Sequence, residues 1–222
     1  MAENQPTDMD KSPNVRLSIP IAAVYDSSWK YCGYVYPQPF EGSISLSNLT
    51  NYQRRPMANL KRFANKPEWH DKFERDEKGM KNRFKMLYNL SKALHTIPEQ
   101  YVPVYISPDD ILITATGKIT IDNLQLSQVT IKGGECYPVC CITPEYVTKS
   151  FKQAFARKAS IPNEAVLFSY AVIFYQVLTG IHPYSGTILK APYDNCSDIG
   201  QCIDNELFAF GNKAEYISFP EN

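Results

Sequence analysis

The chain has no excess of either charge: 23 Lys and Arg face 23 Asp and Glu across 222 residues. A balanced surface gives no long-range pull toward nucleic acid or an anionic membrane, so neither is expected as a partner. No apolar run approaches the roughly 20 residues that span a bilayer. The opening stretch, Met1 to Asp10, is polar and acidic. It has neither the basic region nor the apolar region of a secretory signal. Cytoplasmic residence is the expectation. None of the six cysteines (Cys32, Cys136, Cys140, Cys141, Cys196, Cys202) forms a C-x-x-C pair, and none of the three histidines (His70, His95, His182) flanks a cysteine. Zinc sites usually show paired ligands at short spacing, so free thiols are expected here.

What is present suits one compact domain, since 44% of the residues are hydrophobic. Residues 1–17 are polar, carry Pro6 and Pro13, and read as a disordered tail. From Ser18, "SIPIAAVYD" and "KYCGYVY" read as two strands joined by a turn at Ser27-Ser28-Trp29. Residues 51–82 mix both charges and read as a solvated, partly helical surface. Lys81 to Ile97 has helical periodicity, with Phe84, Leu87, Leu90 and Leu94 as its buried stripe and Pro98 as its stop. Short β segments follow on either side of Ala115-Thr116-Gly117. Residues 130–150 read as a loop with short helical ends. Pro162 to Leu178 is a second helix, apolar over most of its circumference and therefore central, closed by Gly180 and Pro183. A short helix is expected around Ile199–Glu206. The class is α+β.

Several motifs in this order resemble the larger lobe of the protein kinase fold. Tyr105-Ile-Ser-Pro-Asp-Asp110-Ile-Leu-Ile113 is similar to the kinase catalytic loop, and Gly117-Lys-Ile-Thr-Ile121 to the strand before the metal-binding aspartate. Thr143-Pro-Glu145 is similar to the A-P-E element. Phe168 to Gly180, followed by His182-Pro-Tyr184, resembles the central helix of that lobe. The strand pair between Pro20 and Pro37, with Gly33-Tyr34, is most similar to bacterial kinase-like proteins. The resemblance implies a partial kinase-like domain over 18–222: hinge-side strands over 18–50, then a mainly helical C-lobe over 51–222. No complete N-lobe is expected. No G-x-G stands ahead of Ile19, and Lys11 is the one lysine there.

The resemblance also says which chemistry is lost. Kinases need a proton-accepting Asp and two oxygen ligands for Mg²⁺. Tyr105 falls at the catalytic Asp position, and a phenol is a poor proton acceptor at neutral pH. Asp110 falls at the metal-binding Asn position and Asn123 at the metal-binding Asp position, with Asp122 one residue earlier. In a strand that one-residue offset turns Asp122 to the other face. Val166 replaces the aspartate that opens the central helix. On the residues alone, Asp109 and Asp110 are equally turn or helix-cap groups. Tyr105 reads equally as a packing aromatic, and His95 as a cation closing a helix. The implied function is a catalytically inactive, pseudokinase-like domain acting through protein contacts, with no cofactor. Its partner would cover the surface of the missing lobe, where Trp29, Tyr34, Tyr36 and Trp69 are candidates for exposed aromatics. The alternative is a protein kinase or ATP-binding protein. It would hold Mg²⁺ on Asp110 with Asp122 or Asn123, or take its N-lobe from another chain. A third reading is a decayed remnant with no activity of its own.

Overall fold

The computed structural model describes residues 14–50, 77–103, 106–131 and 133–219. In chain order the strands are β1 (Val15–Leu17), β2 (Ala22–Tyr25), β3 (Tyr31–Val35), β4 (Ile44–Ser45), β5 (Tyr101–Val102), β6 (Ile111–Ile113), β7 (Ile119–Ile121), β8 (Gln128–Thr130), β9 (Cys136–Tyr137), β10 (Ile188–Leu189) and β11 (Ile217–Ser218). The helices are Ser47–Thr50, Glu77–His95, Lys149–Ala156, Val166–Thr179 and Ile199–Asp204. The class is α+β. No helix among the described residues is long and apolar enough to cross a membrane.

The core is built on a four-stranded sheet of order β1-β7-β6-β4. Its apolar face carries Leu17, Ile111, Ile113, Ile119 and Ile121, all buried, packed with Leu87, Leu90, Ala93, Ile173 and Val177. Burying each of the Leu, Ile and Val side chains contributes about 1.5–3 kcal/mol. β6 and β7 pair antiparallel through the turn at Ala115-Thr116-Gly117, where Gly117 adopts φ +85°. Strand β1 corrects the boundary of the expected tail. Val15–Leu17 pairs parallel with β7, in register with Ile119–Ile121. The alternation Val-Arg-Leu sends Leu17 into the core and Arg16 to the opposite face, a period of two inside a polar stretch.

The long helix Glu77–His95 forms where the periodicity places it, and its phase differs slightly. The buried positions are Gly79, Arg83, Met86, Leu87, Leu90 and Ala93. Phe84 is exposed. At 100° per residue it lies roughly 60° beyond Leu87, on the side away from Leu90. The central helix Val166–Thr179 buries Val166, Ser169, Val172, Ile173, Gln176 and Val177 but leaves Leu167 exposed, so it is covered on one side rather than all round. Gly180, with φ +79°, ends it and donates to Gln176 O at 2.8 Å. His95 is exposed at the end of the long helix. The charged stretch before Glu77, with His70 and Trp69, lies outside the described residues.

β2 and β3 form a separate two-stranded sheet. The Asp26 carboxylate accepts from the amides of Ser28 (2.8 Å) and Lys30 (2.9 Å), which shapes the turn. Asp26 N donates to Lys30 O at 3.0 Å, leaving a three-residue loop whose last member, Trp29, adopts φ +60°. That position in such loops usually takes glycine.

Candidate functional site

The residues expected to carry chemistry gather where β6 starts and β7 ends. Ser107 caps the short turn Pro108–Asp110: its hydroxyl oxygen accepts from the Asp109 amide at 3.3 Å. Asp110 reaches back, and its Oδ2 accepts from the Ser107 amide at 2.9 Å and the Ser107 hydroxyl at 2.6 Å. The pair is a reciprocal capping box. Ser45 adds an outer bond, donating to Asp109 Oδ1 at 3.3 Å. On the neighbouring strand, Asp122 N donates to Asp110 O at 2.8 Å. The chain then turns at Asn123, which takes the left-handed conformation that Asn tolerates (φ +56°). This turn brings the Asn123 side-chain amide to Asp110 Oδ1 at 2.5 Å.

Asp110 is buried, and burial raises its carboxyl above the ordinary value. Its hydrogen bonds from Asn123 and Ser107 pull the other way. Desolvation is the larger effect, and three donors on one carboxylate are what make the buried charge tolerable.

The structure therefore brings Asp110 and Asn123 together. Asp122 is half-buried and uses Oδ1 to accept from the Asn123 amide nitrogen at 2.9 Å. Tyr105 lies outside the described residues. As arranged, these side chains bond one another rather than converging on a shared Mg²⁺ position. That ion needs several oxygen lone pairs converging at about 2.0–2.1 Å. Asn123 turns its NH₂ toward Asp110, and its oxygen accepts from Gln125 at 3.1 Å. Asp110 already accepts three hydrogen bonds. Among the described residues, no group of three or more His, Cys, Asp and Glu is placed to hold a metal.

A second polar cluster ties the 144–146 turn to the central helix. His182 Nδ1 accepts from the Tyr184 amide at 3.2 Å, so Nε2 carries the proton and donates to Glu145 O at 2.9 Å. Burial lowers the His182 pKa, in keeping with a neutral ring. Ser169 donates to Tyr146 O at 2.6 Å, and the Tyr146 hydroxyl donates to Gln176 at 3.0 Å. Burial pushes the Tyr146 phenol up to about 12, so it stays a neutral donor. Lys152 bridges to Asp204 at 2.8 Å and to Gly200 O at 3.1 Å, anchoring helix Ile199–Asp204 beside this turn. Val166 packs in an apolar cluster with Val102, Val139, Val147, Phe151 and Ile161.

Two buried polar residues were not singled out in the sequence. Arg83 donates to Val177 O at the end of the central helix. Its signal was a cation on the apolar stripe. Gln128 donates to Ile161 O (2.9 Å) and accepts from Ile161 N (2.8 Å), a pairing that no spacing announces. No protein-family model matches the chain, and a comparison with curated proteins finds no match.

Proposed function

We propose that this chain is a non-catalytic, protein kinase-like domain that acts through protein contacts. The observation that carries this reading is the closed network at Asp110. At the two positions where the kinase resemblance puts metal ligands, Asp110 and Asn123 bond each other, with Ser107 completing the set. The groups a kinase would turn to Mg²⁺ and phosphate are used here to hold one turn to one strand.

The hairpin β2–β3 supports the second half of the reading. Every residue of β2 is exposed, and so are Trp29, Tyr31, Tyr34 and Tyr36. A contiguous aromatic surface of this kind marks an interaction site more often than not. A two-stranded hairpin is marginal alone, and a partner chain laid over it would bury the rings. In a kinase-like arrangement that partner occupies the side on which the smaller lobe packs.

The experiment is a thermal unfolding scan with and without millimolar Mg²⁺-ATP, paired with a labelled-phosphate transfer assay. The reading expects one cooperative transition, no nucleotide shift and no transfer. Incorporated phosphate that Asp110→Ala abolishes would overturn it. A bound nucleotide at about 100 times its Kd would raise stability by about 2.7 kcal/mol, which the scan resolves easily.

A further inference from the structure

A cleft of about 860 Å³ opens on the polar face of the four-stranded sheet, away from Asp110. Strand alternation builds it. Arg16 lies opposite Thr120 in the β1–β7 register, and Lys118 precedes Thr120 by two, so both cations belong to one face. The chain after β3 crosses this face and contributes Phe40. The Arg16 guanidinium carbon stands 4.0 Å from the Phe40 ring centroid, and the Lys118 ammonium 5.1 Å from the same centroid. Arg16 is held there by donating to Gln38 O at 2.5 Å. Thr114 and Thr116 share one hydroxyl–hydroxyl bond at 2.9 Å, which leaves one of their two protons for a ligand.

Two cations over one ring repel each other, and among the described residues neither has a carboxylate within salt-bridge distance. An anion placed between them would offset that repulsion. We propose that this cleft binds a compact phosphate dianion, carried on a small organic ester. Two cations match a dianion, and the Arg fork with the Lys point charge supplies the donors phosphate accepts. The cleft exceeds what a bare phosphate fills and suits a small-molecule ligand. Glu41, on the lining, carries the opposite charge and disfavours an extended polyanion. The site is independent of the Asp110 network and of the pseudokinase reading.

The test is calorimetric titration of the whole chain at low ionic strength with phenyl phosphate, and separately with inorganic phosphate. Saturable one-to-one binding is expected, and each of Arg16→Gln and Lys118→Gln weakens it about tenfold. Glu41→Gln tightens it. Phenyl phosphate binding more tightly than inorganic phosphate identifies an ester as occupant. Equal affinity keeps the anion site but makes free phosphate its ligand. Because Arg16 also holds Gln38, Lys118→Gln is the decisive variant: Lys118 Nζ makes no hydrogen bond among the described residues. No saturable binding by either probe, or unchanged affinity in Lys118→Gln with its unfolding midpoint intact, overturns the proposal.

Discussion

Asn123 donates its side-chain amide to Asp110 Oδ1 at 2.5 Å, joining the residue before β6 to the second residue past β7. The bond closes the open end of a hairpin whose other end is the Gly117 turn. It forms because a left-handed backbone at Asn123 turns the side chain inward.

Removing either partner should therefore destabilise. Asp110→Ala leaves the Ser107 amide and the Asn123 NH₂ without their acceptor, at a cost of about 1–3 kcal/mol. Asn123→Ala removes a charge-assisted bond worth a similar amount. The double variant should cost less than the two singles together, because each single already breaks the shared contact. Urea midpoints for the four proteins check this. Additive losses would show that the pair does not act as a unit.

His182 predicts a specific pH dependence. Its folded pKa is lowered, chiefly by burial, below the ordinary 6.5. The unfolded chain therefore takes up a proton that the folded chain refuses. Stability from the neutral ring is present above pH 6.5 and is lost as pH falls through the lower folded value. Protonation would also set an N–H against the Tyr184 amide donor. His182→Gln keeps a neutral donor near Glu145 and should flatten the loss as pH falls below 6.5. An identical slope in both proteins would assign the acid sensitivity elsewhere. Asp110 has the opposite sign. Its raised pKa favours the fold below the ordinary carboxylate range, and that benefit disappears as pH rises through the folded value.

The α+β class, the long helix, the β6–β7 hairpin and the stop at Gly180 were legible because period and punctuation are local properties of sequence. Strand β1 was not. Three residues in a polar stretch carry too short an alternation, and their pairing partner lies about a hundred residues away. Phe84 was misplaced for a related reason: an apolar residue at the stripe's margin looks buried until the packing partner sets the helix phase. Of the site, the positions of Asp110 and Asn123 were legible, and so was a cap as one of Asp110's roles. Their mutual bond was not, because it depends on a single left-handed residue.

Arg83 tests how much a buried cation at a helix end contributes. It is almost fully buried and donates to Val177 O, where the central helix leaves its last carbonyls unpaired. The helix dipole favours positive charge there. Arg83→Ala should cost about 1.5–3 kcal/mol, the range for a hydrogen bond to a charged group. Arg83→Lys should recover only part, because a point charge lacks the planar fork. Thermal midpoints check both. A neutral Arg83→Ala would mean that solvent replaces the guanidinium at no cost.

Trp29 separates what the hairpin needs for folding from what it offers a partner. Its ring is 85% exposed, so it adds little to the core. Its φ of +60° is costly for a bulky residue and free for glycine. Folding alone would favour glycine at this position, so Trp29→Gly should leave the unfolding midpoint unchanged or raise it. The same change, combined with Tyr31→Ser and Tyr34→Ser, should abolish binding of a hydrophobic dye to the native protein, because these rings line the surface of β3 and its turn. Retained stability with lost dye binding is the outcome expected of an interaction surface. A cooperative loss of stability in Trp29→Gly would make the ring a structural element, and the hairpin would then cease to support a partner-binding role.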